Sequence, residues 1–107
     1  MIKVENNDIY ITRGDSCTLT LVIYDENGDV YEPVTGDVVY MTIKDDFDNI
    51  QYVAQFTDQH QFIIPSDITK KMAFGHYDYD VRLQNGSFTD TFIIEGNLTI
   101  GRGSNNA

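Results

Sequence analysis

Apolar and polar side chains alternate with a period of two along most of this 107-residue chain. That spacing sends alternate residues to opposite faces of an extended strand, so one face can be buried while the other stays wet. Residues 16–24 set Cys17, Leu19, Leu21 and Ile23 against Thr18, Thr20, Val22 and Tyr24, and the odd-numbered face is the expected core. Residues 37–44 repeat the pattern with Val39, Met41 and Ile43, and residues 76–84 with Tyr77, Tyr79, Val81 and Leu83 opposite Asp78, Asp80, Arg82 and Gln84. Shorter runs of the same kind cover 2–5, 8–12, 51–56, 61–64, 88–94 and 96–100.

The runs are separated by turn chemistry. Gly14, Gly28 and Gly86 fall in Arg13-Gly14-Asp15, in the acidic stretch 25–29 and in Asn85-Gly86, each of which suits a tight reversal. Pro33 and Pro65 each mark a strand end or an edge. The single helical candidate is residues 66–72, where Ser66 or Asp67 can cap the N-terminus, Lys70 and Lys71 suit the C-terminal end, and Gly75 can stop the helix.

Strands of this number and length, with one helical turn before a late strand, predict an all-β fold. The expectation is an immunoglobulin-like antiparallel β-sandwich of about seven to nine short strands. Tyr77 stands where such sandwiches place a corner tyrosine whose hydroxyl bonds back to the preceding loop, and Tyr79 stands where disulfide-containing relatives keep a cysteine. One domain over residues 1–100 and a flexible tail over 101–107 follow from the absence of a composition break and from the small polar residues at the end.

Seventeen acidic against seven basic side chains leave a net charge of −10, while 41% hydrophobic and 12% aromatic residues are ample for a core. The acidic balance argues against nucleic acid and against anionic membrane surfaces as partners, since both are engaged mainly by Lys and Arg. The chain holds no apolar run of bilayer length, and residues 1–8 have no basic-then-apolar leader pattern. Cys17 is the only cysteine, which excludes an internal disulfide and a cysteine zinc site built by one chain. With two histidines, no nucleophile motif and no phosphate loop, the expectation is a non-enzymatic protein with no cofactor.

Four features bear on chemistry. Arg13-Gly14-Asp15 matches an integrin-binding tripeptide, but the expectation is a tight turn in which Gly14 supplies the backbone freedom and Asp15 the cap. Asp25 and Asp29 in one acidic turn and Asp46 and Asp48 in another are candidate calcium ligands without EF-hand spacing, able to share an ion if the two turns meet. Asp78 and Asp80 share a strand face in the manner of a glycosidase pair, though a solvent-facing pair has no reason for shifted pKa values. Tyr24, Tyr31, Tyr40 and Tyr52 are the aromatic side chains expected nearest to solvent, where they would serve a carbohydrate platform.

Taken in order, Ile11-Thr12-Arg13-Gly14-Asp15-Ser16, Tyr24-Asp25-Glu26-Asn27-Gly28, Gly36-Asp37-Val38-Val39-Tyr40-Met41-Thr42-Ile43-Lys44, Ile64-Pro65-Ser66-Asp67-Ile68-Thr69 and Phe74-Gly75-His76-Tyr77-Asp78-Tyr79-Asp80-Val81-Arg82-Leu83 form a recognisable series. It resembles the small β-sandwich domains of phage and prophage tails and baseplates in low-GC Gram-positive bacteria, including the N-terminal domain of baseplate upper proteins. The resemblance implies a structural protein in the virion, made in the host cytoplasm, with other tail or baseplate proteins and copies of itself as partners. It implies structural roles for Gly14, Gly75, Tyr77 and Tyr79 and offers no catalytic residues. A cell-surface carbohydrate-binding module, calcium-assisted by the acidic turns, is the alternative expectation.

Overall fold

The computed structural model describes residues 2–5, 8–24 and 27–102, with 2–5 and 93–95 entering through their backbone alone. In chain order the elements are β1 (Ile2–Glu5), β2 (Asp8–Thr12), β3 (Cys17–Thr20), β4 (Val38–Lys44), β5 (Ile50–Gln55), β6 (Gln61–Ile64), α1 (Ser66–Lys71), β7 (Gly75–Asn85) and β8 (Phe88–Gly101). Six strands form one sheet in the order β1-β2-β8-β7-β4-β5, and β3 pairs with β6 in a second. The fold is an all-β sandwich. The run β8-β7-β4-β5 facing the pair β3-β6 follows the order of an immunoglobulin variable-type sandwich.

Burial follows the period-two pattern. Ile9 and Ile11 of β2, Val39, Met41 and Ile43 of β4, Tyr77, Tyr79, Val81 and Leu83 of β7, and Leu98 and Ile100 of β8 line the inner face of the large sheet. Cys17 of β3 and Phe62 and Ile64 of β6 close on them from the small one. Because two strands cover six, the core is thick where β3 and β6 lie and thin toward the far end of the β7-β8 hairpin. There Phe88 is 61% exposed although it stands on a strand.

The large sheet is mixed, not antiparallel throughout. β2 runs parallel to β8, with Ile9 opposite Leu98 and Ile11 opposite Ile100. Alternation dictates which face a residue takes and is silent on strand direction, and parallel neighbours cannot be joined by a hairpin that would show in sequence. The two runs expected at 88–94 and 96–100 are one strand of 14 residues. Gly96, the first residue of the second expected run, lies inside this strand, which has register shifts against β7 on either side of Val81. From Tyr79↔Gly96 to Val81↔Ile93 and then to Arg82↔Thr91, β8 carries two more residues than β7. Two inserted residues restore the original phase, so both ends of β8 keep even-numbered side chains on the inner side.

Three other expectations change. Only Cys17–Thr20 of the 16–24 run pairs with β6; beyond it Leu21 N bonds to His60 O at 3.0 Å, and Tyr24 bridges Val30. At α1 the N-cap is Pro65, with no side-chain cap, and Met72 closes the helix, so neither Ser66, Asp67 nor Gly75 has the expected terminal role. Gly101 belongs to β8 and accepts a bond from Arg13 N at 2.9 Å, so the structure extends past residue 100, while 103–107 lie outside the described residues.

Candidate functional site

At one end of the sandwich the chain folds a loop against a helix. Gly14 has φ +92°, a conformation that side-chain-bearing residues avoid, and lets Arg13-Gly14-Asp15 turn sharply beside α1. The fully buried Thr69 pins that turn: its hydroxyl accepts from Gly14 N at 3.0 Å and donates to Asp15 O at 2.8 Å. Arg13 Nε donates to Lys70 O at 3.0 Å, and the guanidinium lies 5.2 Å from the centroid of Phe74. Arg102 lies 5.0 Å from the same ring. The Arg13 side chain is therefore folded onto its own protein and not extended from a loop tip. Tyr77, buried on β7, donates its hydroxyl to Ala73 O at 2.7 Å and so ties the strand to the corner after α1. Gly75, at φ +136°, opens that strand.

On the outer face of the large sheet, register assembles a polar row that the sequence scatters over 90 positions. Asp8 pairs with Asn97, Asn97 with Asp78 and Asp78 with Lys44 across four strands. His76 sits in this row with Nδ1 3.1 Å from Asp46 Oδ1 and Nε2 3.0 Å from Asn97 Oδ1. Asn97 Nδ2 donates to Asp8 Oδ1 at 2.8 Å, which fixes its amide so that its oxygen faces the imidazole. In the protonated imidazole both ring nitrogens donate, and the bonds to Asn97 and Asp46 raise the His76 pKa. Asp46, His76 and Asp78 bring ligand atoms within 4.8 Å of one another. They are the residues that would hold a cation, at the expense of a proton on His76.

The expected calcium ligands are not brought together. Asp46 joins His76, and Asp48 pairs instead with Lys44 at 3.4 Å. Asp45 is spent on its own turn, accepting from Phe47 N and Asn49 N at 2.9 Å each, bonds that hold its carboxyl below the usual range. Asp29 follows Gly28, at φ +84°, in the turn whose flanking bridge Tyr24–Val30 lies beyond the opposite end of β4. The turns are thus separated by the length of that strand, on the order of 20 Å. Asp25 lies outside the described residues. Asp78 and Asp80 do share the outer face, but Asp78 turns to His76 while Asp80 pairs with Arg82 at 3.5 Å.

The hairpin end is organised by Asp37. Its carboxylate accepts from the Tyr31 hydroxyl, from Val34 N at 2.9 Å and from Asn85 Nδ2 at 2.9 Å, and the Tyr31 bond foremost holds its pKa low. These bonds tie the 31–37 segment to the tip of the β7-β8 hairpin. That tip turns through Gly86, at φ +61°, with Asn85 paired to Phe88 and Gly86-Ser87 at the centre. Between the segment and the hairpin opens a cleft of about 700 Å³, walled by Tyr24, Tyr31, Val34, Leu83, Phe88 and Phe92 and rimmed by Asp37 and Asp90. A neighbouring cleft of about 500 Å³ is more polar, with His60 Nε2 at 2.7 Å from Glu32 and the imidazole stacked on Phe56.

β5 forms one border of the large sheet, pairing with β4 alone. The bond from Phe56 N to Val39 O sets the ladder phase, so Tyr52 and Ala54 pair inward and the N–H and C=O of Val53 and Gln55 face outward. Of the four tyrosines expected near solvent, Tyr24 is 64% exposed while Tyr31, Tyr40 and Tyr52 are half-buried. Sequence reading missed Thr69, His76, Asn97 and Asp37, each of which has at least one partner 30 or more residues away; such a polar side chain signals nothing until its neighbours are known. No protein-family model and no curated protein sequence matches this chain.

Proposed function

We propose that this chain is a non-enzymatic structural protein of a phage or prophage tail or baseplate and works through protein–protein contacts. The observation that carries this reading is the border strand β5. Ile50-Gln51-Tyr52-Val53-Ala54-Gln55 has no charged side chain and no proline in a chain of net charge −10. Ile50 is 61% and Val53 43% exposed. Sheet borders that must stay solitary are guarded by charge, proline or a covering loop, and this one has outward backbone groups and apolar side chains ready for strand addition. The assignment to a tail or baseplate comes from the family resemblance of the five sequence segments.

The test is mass spectrometry of purified particles after prophage induction in the source strain. Tryptic peptides of this chain at structural copy number are the expected result; peptides in the lysate and none in the particles overturn the reading. The competing reading, a calcium-assisted carbohydrate module, requires the melting temperature to rise with millimolar calcium or with cell-wall sugars, because a ligand of the native state stabilises it.

A further inference from the structure

The two ends of the molecule complement each other. Around Phe74, itself 48% exposed, stand Arg13 and Arg102, both within cation–π distance of the ring, with Lys70 and Lys71 on the adjoining helix. These side chains make a knob whose aromatic centre carries two guanidiniums, at an end of the sheet that also holds the acidic 45–49 turn. At the far end of β7, ten residues on, the cleft between the 31–37 segment and the hairpin is an aromatic groove with a carboxylate rim, and no Lys or Arg lines it. Tyr24, Val34 and Phe88 are each more than 60% exposed there. The ends are separated by the length of β7, on the order of 30 Å, so one copy cannot satisfy its own groove.

We infer that the knob of one copy seats in the groove of a second copy, head to tail: Phe74 against the aromatic walls, and the Arg102 guanidinium against Asp90. Aromatic and arginine side chains are the groups that most often anchor protein contacts, and here both meet surfaces of matching polarity. A symmetric contact of groove with groove would set Asp90 against Asp90 and is disfavoured by charge. A head-to-tail contact is heterologous, so it propagates until a ring closes, and a ring around an axis is what a tail component needs. The inference rests on the reading that this chain acts through protein contacts, and adds the surface and the occupant.

The experiment is sedimentation of the whole chain and of two surface variants. The wild type is expected to rise above its monomer mass of 12.2 kDa with concentration, and to return to it in about 1 M sodium chloride, where the Debye length is ~3 Å. A knob variant, Phe74→Glu with Arg102→Glu, and a groove variant, Phe88→Ser with Asp90→Ser, each stay monomeric alone. Mixed one to one, they form a dimer and nothing larger, because one intact knob and one intact groove remain. Circular dichroism and melting curves matching the wild type show that both variants fold. A wild type that stays monomeric up to about 1 mM, a concentration scale at which even contacts of ~4 kcal/mol are seen, overturns the inference. So does a mixture that forms no dimer, or a variant that alone assembles as the wild type does. A monomeric wild type found in purified particles would remove this contact and leave the structural role standing; absence from particles would remove the role whatever the sedimentation result.

Discussion

The ring of Tyr79 occupies the space where Gly96 has no side chain. A Cβ at position 96 would stand 2.2 Å from Tyr79 Cζ and 2.3 Å from Cε1, well inside contact distance. The pair faces across β7 and β8 beside the register shifts that let β8 run on as one strand. Gly96→Ala should therefore cost about 1 to 3 kcal/mol, the range of overpacked cores. Urea denaturation is the measurement. Combined with Tyr79→Leu, the loss should be smaller than the sum of the two single losses, since the clash disappears with the ring. Additive losses would mean that the ring moves aside freely.

Thr69 holds the Arg13-Gly14-Asp15 turn through one hydroxyl that both accepts and donates. Thr69→Val keeps the shape and removes both of these bonds, to Gly14 N and to Asp15 O. The expected loss is about 1 to 3 kcal/mol, or several degrees in Tm for a domain of this size. An unchanged Tm in calorimetry would show that water replaces the hydroxyl.

Cys17 is fully buried against β6, and burial pushes its thiol up to about 11. At neutral pH the reactive thiolate is almost absent, and reagent cannot reach the sulfur without opening the small sheet. Labelling with a disulfide-exchange reagent at pH 7.5 should run at the rate of unfolding and accelerate in urea. Labelling at the rate of a free thiol would show that β3 and β6 open independently of the large sheet.

His76 gives stability a pH dependence of defined sign. Its folded-state pKa is raised, first by Asn97 and then by Asp46, so its contribution is present in full below about 6.5 and is lost as pH rises through the folded value. Relative to His76→Gln, the urea midpoint of the wild type should be higher near pH 6 and converge toward pH 8. The titration midpoint of the His76 ring protons should lie above that of a histidine in an unfolded peptide. Asp37 acts with the opposite sign: its lowered pKa gives stability that is present above the ordinary carboxylate range and lost on acidification.

How far the sequence alone reaches can be seen in particular residues. The alternation from Tyr77 to Leu83 fixes a strand with one buried face, and the structure buries those four side chains at 5% exposure or less. The core residues Cys17, Met41 and Ile43 were legible for the same reason: side-chain direction in a strand is a local property with period two. Asn85-Gly86 announced the β7-β8 hairpin because tight reversals depend on the local backbone, although the turn centres on Gly86 and Ser87.

Strand direction and partnership are not local. The parallel pairing of β2 with β8 joins residues about 90 positions apart, and no turn chemistry records it. The same pairing places Asp8 beside Asn97 and so builds the row around His76, which no spacing along the chain could suggest. Gly96 opens the expected run 96–100, whereas it lies inside β8 and its place is set by the bulk of Tyr79 on the next strand. Alternation alone therefore determined that this protein is an all-β sandwich with a particular inner face. Tertiary structure alone decided which surfaces face each other and which stay open: the six-against-two layering leaves the hairpin end uncovered, and its groove and the Phe74 knob exist only once distant strands are in register.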